Sequence, residues 1–392
     1  MCRNKVVTNI MDKKIRRDLL KDYLSGYINQ YYEFKDFIFK NSTGDYRNFK
    51  LKLSLNYLGI GKSINWPFKL YGVISFIELL VSTIFVICKF FISTLHKARF
   101  KGRTITNKCL TPGLEISASR FKKLYSVVEC EIITIKIPYR SNEYDTPKIS
   151  VYEGIEWKDI YLAFCFSLRT IFYMYHKFRK RDILYRNYSS FEYYLTCLFV
   201  LRNPQNHYVF HNQIDKWALF FSNVSGCTFI QHGKIEGGAR LIKISPPKKA
   251  YYLNDGQKRI LETVLFKTPP ENFGFRPHLS FTHNEKLIAN NKKNILIISG
   301  LDFLEEEIPI IMMLKDKDIN MYLKPHPKDK VLTRYHELRD NFGVILLEKD
   351  DFPEVDVVVS YNSTLAYEYE DAGVKVIRYD LLNDLNRIND HL

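Results

Sequence analysis

Cysteine pairs are missing from this sequence. Its seven cysteines, Cys2, Cys88, Cys109, Cys130, Cys165, Cys197 and Cys227, are scattered, odd in number and never spaced Cys-x-x-Cys. That excludes a zinc knuckle and a disulfide framework, and it predicts a reducing cytoplasmic compartment. No zinc-finger, RNP-like or basic-zipper pattern is present, so no nucleic-acid partner is expected. No Asp-x-Asp follows a predicted strand, so no metal site is expected. Met1 to about Lys14 lacks an apolar core of signal-peptide length, and secretion is not predicted. Acidic charge is scarce only in the first part of the chain. From Leu287 onward there are 13 Lys+Arg and 20 Asp+Glu, which leaves 45 against 23, a net +22, for residues 1–286. Such asymmetry suits an anionic membrane surface, an acidic polymer or nucleic acid, or else a solvated basic surface.

The chain is 392 residues long, 46% hydrophobic and 26% charged, which are the values of a globular protein with room for two domains. Val73 to Ile92 is apolar except for Glu78 and Lys89, and Lys97, Arg99, Lys101 and Arg103 follow it. Two charges inside a window of ~20 residues weigh against a clean membrane span. An interfacial helix, whose lysine can snorkel, and a buried core helix remain beside it. Phe166 to Tyr175 is aromatic-rich and runs into His176–Arg181, which suits a headgroup layer or a core helix with a basic last turn.

From His207 the periodicity alternates. A strand at Tyr208–Phe210, a helix at Gln213–Phe221, a strand at Cys227–Ile230, a strand at Tyr251–Leu253 and a helix at Gly256–Leu265 read as a helix-covered parallel sheet. Pro269, Pro270, Gly274 and Pro277 mark an interdomain linker between Phe266 and Glu285. A second alternation runs from Asn294 to Ile377. The expected organisation is a basic N-terminal region with a membrane-interacting helix (1–104), an acceptor domain (105–270) and a nucleotide-donor domain (286–392).

Three short segments carry candidate chemistry. Tyr322-Leu323-Lys324-Pro325-His326-Pro327 ends a strand, where the prolines are expected to aim Lys324 and His326 out of the sheet, towards a departing phosphate. Asn362-Ser363-Thr364 joins a strand to a helix, so Ser363 and Thr364 are candidate phosphate ligands at a helix N-terminus, or a plain N-cap. Gln231-His232-Gly233-Lys234-Ile235-Glu236-Gly237 follows a buried strand. There His232 is suited to take a proton from an acceptor hydroxyl, Glu236 to share or orient that work, and Gly233 and Gly237 to let a ligand approach the backbone. Glu305-Glu306-Glu307 reads as a solvated helix start.

Together these segments resemble the GT-B glycosyltransferases, an α/β architecture of two Rossmann-like doubly wound domains facing a cleft. They are most similar to bacterial capsule and polysialic-acid type transferases and to the CDP-glycerol glycerophosphotransferases, which pair a His-Gly with Lys-x-His-Pro. The resemblance covers about Tyr208 to Ile377 and implies His232 as base, with Lys324, His326, Ser363 and Thr364 on the donor phosphate and Glu368 on the ribose. It departs from the sialyltransferases at Asn254-Asp255-Gly256, which lacks one carboxylate of their acidic pair. It further implies metal-independent transfer with no resident cofactor, from a CMP-, CDP- or UDP-linked donor to a glycan or lipid-linked acceptor. The product would be a cell-surface polysaccharide such as capsule or O-antigen, made by an enzyme peripheral at the inner face of the plasma membrane. Polyol-phosphate transfer, and a non-enzymatic basic protein binding membrane or nucleic acid, are the alternatives.

Overall fold

The computed structural model of the chain describes residues 17–26, 71–101, 103–112, 126–128, 130–136, 147–178, 189–211, 216–235, 239, 241–277, 281, 292–300, 304–326, 332–348, 351–360, 363–379 and 388. The chain divides into two compact units, Met1–Glu115 with Val128–Arg276, and Ile116–Val127 with Pro277–Leu392.

In the first unit, α1 covers residues 17–26 and α2 Tyr71–Lys97. β1 (Cys109–Thr111), β2 (Ile132–Lys136) and β3 (Lys148–Ser150) precede α3 (Trp157–Phe178) and α4 (Ser190–Arg202). Then come β4 (His207–Phe210), α5 (Lys216–Phe221), β5 (Thr228–Ile230), β6 (Lys249–Tyr252), α6 (Asp255–Val264) and β7 (Asn272–Phe275). The seven strands are parallel, in the order β3-β2-β1-β4-β5-β6-β7. Chain direction across the sheet therefore reverses between β1 and β4, the switch point of a doubly wound fold.

Of the N-terminal region expected over 1–104, the described helix α2 belongs with the helices of the first unit. α2 packs along α3 and also touches α4, with a stripe of Leu79, Ser82, Val86, Lys89, Ser93 and Lys97 facing inward. Spacings of three and four residues, about one helical turn, put those six side chains on one face. Lys89 forms a buried ion pair with Glu192 of α4. Lys97 Nζ donates to the Tyr152 carbonyl at 2.9 Å, and the Tyr152 hydroxyl donates to Ser93 Oγ at 2.8 Å. In α3 the buried Ser167 and Thr170 hydroxyls donate to the carbonyls four residues back, which satisfies them within the helix. The boundary between the units, Arg276 to Pro277, falls within the span expected as a linker, which also holds β7, paired with β6 over Lys249–Tyr252.

The second unit runs β8 (Lys293–Ile298), α7 (Leu304–Leu314), β9 (Ile319–Lys324), α8 (Leu332–Phe342), β10 (Ile345–Leu346), β11 (Val357–Ser360), α9 (Thr364–Asp371) and β12 (Lys375–Arg378). Its five strands are parallel, in the order β10-β9-β8-β11-β12, with the switch point between β8 and β11. Successive strand residues point to opposite faces. Ile295, Ile297, Leu323, Val357 and Val359 join one buried cluster, whereas Leu296, Ile298, Tyr322 and Val358 join the other with Leu365, Ala366 and Tyr369 of α9. Apolar residues at consecutive positions are what a sheet covered on both faces requires.

Candidate active site

Register fixes the carboxyl edge of the second sheet. Ile298 pairs with Lys324 of β9 on one side and with Ser360 of β11 on the other. These three residues therefore form one row, with β9 and β11 about 10 Å apart across β8. Beyond that row the chain leads to His326 from β9, to Ser299 and Gly300 from β8, and to Ser363 from β11. His326 and Ser363 thus share one edge and flank the switch point. Ser363 is the N-cap of α9, and its Oγ accepts from the Leu365 N–H at 3.2 Å. The cap reading describes this geometry directly. Glu368 is buried one turn into α9. Tyr361, Asn362 and Pro327 lie outside the described residues, as does the side chain of Thr364.

Lys324 departs from expectation. It is buried, and its Nζ donates to the carbonyls of Glu348 at 2.6 Å and Asp351 at 2.7 Å, 4.5 Å from the centre of the Phe352 ring. Pro325 and Pro327 restrict only their own backbone and their immediate neighbours. Lys324 is still the last residue of β9 and keeps its pleat, on the same face as Tyr322, so its ammonium group pins the loop after β10 rather than reaching past the edge.

Glu307 is a correction of the opposite kind. It is fully buried, not part of a solvated helix start; the side chains of Glu305 and Glu306 lie outside the described residues. One carboxylate oxygen accepts from Ser299 Oγ at 2.6 Å, and the other from the Gly300 N–H at 2.8 Å and the Tyr379 hydroxyl at 3.1 Å. Ser299 Oγ also lies 3.0 Å from the Tyr335 hydroxyl. This carboxylate holds in place the turn that leaves β8 at the switch point.

In the first unit, His232 leaves the carboxyl end of β5 and is half-buried. Its backbone is held from several directions. Arg276 Nη1 donates to the carbonyls of Gln231 and His232, at 3.1 Å each. The buried Gln231 amide donates to the Gly233 carbonyl and to Gln257 Oε1, both at 2.8 Å, and accepts from the Leu253 N–H at 3.0 Å. Gln257 accepts from the Ile235 N–H at 2.8 Å and donates to its carbonyl at 3.0 Å. A buried network satisfied in this way specifies one conformation of residues 231–235. Asn254 caps α6 by accepting from the Gln257 N–H at 2.9 Å, which gives the Asn254-Asp255-Gly256 segment a structural use. Glu236 and Gly237 lie outside the described residues.

Sequence reasoning missed His211, the residue directly after β4. Its ring is buried and stands edge-on to His232, with centroids 6.4 Å apart. The signal was available, since Tyr208-Val209-Phe210 is a buried strand and the next residue of a parallel strand enters the ligand-facing edge. Two imidazoles at the ends of adjacent strands β4 and β5, next to the switch point, can hold and pass a proton. Burial pushes the Cys227 thiol up to about 12 and holds Cys197 well above the usual thiol value, so neither is a nucleophile. Among the described residues no group of three or more His, Cys, Asp or Glu is placed to hold a metal ion.

Two Rossmann-like doubly wound α/β units in one chain are the make-up of the GT-B class. No protein family and no curated protein matches the sequence. Among solved structures the chain is similar to the wall teichoic acid polymerase TagF, a substituted form soaked with CDPG, at 12% identity over 79% of this chain and 80% of that one, with a TM-score of 0.39. It is similar to UDP-N-acetylglucosamine 2-epimerase from Rickettsia bellii at 11% identity over 70% and 78%, TM-score 0.36. MurG from Acinetobacter baumannii follows at 11% identity over 73% and 90%, TM-score 0.33. The fold class rests on strand order and register.

Proposed function

We propose that the chain is a transferase that moves a glycosyl group from a nucleotide-activated donor to an acceptor hydroxyl. The observation that supports this reading is the row Lys324, Ile298, Ser360, which brings His326, the Ser299–Gly300 turn and the N-terminus of α9 to one edge of a doubly wound sheet. That edge is where such sheets receive nucleotides. Partial positive charge at the start of α9 and the imidazole of His326 oppose the negative charge that grows on the leaving phosphate. In the first unit, His232 takes the proton of the acceptor hydroxyl as its oxygen attacks the anomeric carbon and the carbon–oxygen bond to the phosphate breaks. His211 sets the orientation of that ring. The His232-Gly233 and Lys324-x-His326-Pro327 segments favour assembly of a cell-surface glycan. They equally suit attack on phosphorus with transfer of a polyol phosphate.

Calorimetric titration with CMP, CDP and UDP, followed by turnover of the corresponding donors, tests the proposal. His326→Ala should weaken nucleotide binding tenfold or more, while His232→Ala should keep that affinity and lose turnover by about 100-fold or more. Full turnover in His326→Ala, or no nucleotide binding by the unaltered chain, would remove the assignment. Product mass separates the two chemistries, because only polyol transfer adds phosphorus to the acceptor.

A further inference from the structure

Helix α2 is sorted inside out. Its inward stripe carries Ser82, Lys89, Ser93 and Lys97, of which Lys89 meets Glu192 while Ser93 and Lys97 meet Tyr152. Its outward face is apolar, with Ile84 58%, Phe91 60% and Leu95 68% exposed. A helix on the surface of a water-soluble domain has the reverse arrangement. Within Phe76–Lys97 the most apolar 18-residue window has a mean hydropathy of 2.1, and only 28% of that window is buried. The apolar surface continues on α3 at Phe172 and Tyr173.

One end of this face carries a different chemistry. Lys97 donates to the Tyr152 carbonyl, so the C-terminus of α2 meets the turn at Val151–Glu153 that leads into α3. Arg99, Lys101 and Arg103 are exposed there, together with Trp157, Lys158 and Tyr161 of α3. Arg103 pairs with Glu153 and Lys158 with Glu156, while Arg99 and Lys101 add cationic charge at the same end. Amphipathic rings and cations bordering an apolar surface match the headgroup layer of an anionic membrane, with aromatics at the interface and Lys or Arg against lipid phosphate.

We propose that the outer face of the α2–α3 pair docks in the plane of an anionic lipid bilayer, with the apolar side chains of α2 in the acyl boundary and the Arg99–Lys101 end against the headgroups. An in-plane pose keeps the inward partners of α2. Crossing the bilayer would take Lys89 from Glu192 and Lys97 from Tyr152, leaving both cations unpaired in hydrocarbon. This docking surface is independent of the transferase reading, since none of its residues belongs to the candidate active site.

The test is sedimentation of the purified full chain with vesicles of phosphatidylcholine alone or of equal parts phosphatidylcholine and phosphatidylglycerol. The chain is expected to pellet on the anionic vesicles at least tenfold better than on the neutral ones, and to be released by alkaline carbonate. Ile84→Asp with Phe91→Asp should reduce binding tenfold or more, and Arg99→Glu with Lys101→Glu should do so on anionic vesicles alone. All four positions are exposed, so unchanged melting curves are expected for both double variants. Binding unaffected by either pair overturns the proposal. Retention after carbonate overturns the in-plane pose, and dissociation of an oligomer by the Ile84/Phe91 pair with no change in vesicle binding assigns the face to a second copy of the chain.

Discussion

Removing the Glu307 carboxylate should destabilise the second unit and loosen the switch-point turn at the same time. Three donors converge on it, the hydroxyls of Ser299 and Tyr379 and the Gly300 N–H. A hydrogen bond to a charged group contributes about 1.5–3 kcal/mol, and a buried donor left unmet costs about 1–3 kcal/mol. In Glu307→Ala the Ser299 hydroxyl can turn to Tyr335, already 3.0 Å away, so two donors are left wanting. Relief from burying a carboxylate offsets part of the loss. The net expectation is about 4 kcal/mol for Glu307→Ala and about 2 kcal/mol for Glu307→Gln, whose amide oxygen keeps one acceptor but turns an NH2 towards a donor. Urea unfolding followed by circular dichroism gives the global number, and hydrogen exchange at the Gly300 amide reads the local one. Protection at Gly300 should fall in both variants even under conditions where the unit stays folded. If Glu307→Leu matched the unaltered protein in stability and in Gly300 exchange, the carboxylate would not be what holds the turn.

Two further substitutions probe other parts of the chain. Lys324→Met should lower stability by about 2–3 kcal/mol through loss of its two carbonyl bonds and change nucleotide affinity by less than threefold; a tenfold loss of affinity without loss of stability would return Lys324 to the phosphate. In α1, burial, and next to it the Asp18 carboxylate, push Asp22 from 3.8 up to about 7, against the opposing pull of Lys21, Asn223 and Lys267. The folded chain then binds a proton that the unfolded chain has released between those two values, so stability falls as pH rises from 3.8 to about 7 and the loss is complete above it. At about 1.4 kcal/mol per pH unit the whole effect is on the order of 4 kcal/mol at most. Asp22→Asn should flatten this slope in denaturant titrations from pH 4 to 8, and an identical pH profile in the variant would show that another group sets it.

The second unit was legible because each of its strands lies in a mostly apolar run, the pattern of a strand covered on both faces. In the first unit β1 and β3 have three residues each, too few for a period of two to be distinguished from loop. Asn272–Phe275 was hidden for another reason, since Gly274 and the prolines around it read as punctuation. Gly274 is there because its position admits no side chain, a Cβ falling 2.9 Å from the Tyr251 ring.

The site residues divide along the same physical line. Glu307 was read by composition, as one of three acids, when position was the better guide. Leu304, Glu307, Ile310, Ile311 and Leu314 follow helical spacing, and all five are buried, so a carboxylate on that stripe must find donors inside the unit. Lys324 was read from the prolines beside it, yet its place in the β9 alternation puts it on the helix-covered face with Tyr322. In α2, Glu78 and Lys89 weigh against a spanning helix by their number alone, whereas the face that carries Lys89 shows where it goes. Lys89 and Lys97 share the buried stripe with Leu79 and Val86. In all three helices and strands the periodicity decides where a charged side chain goes, and its charge then decides only what it must meet there.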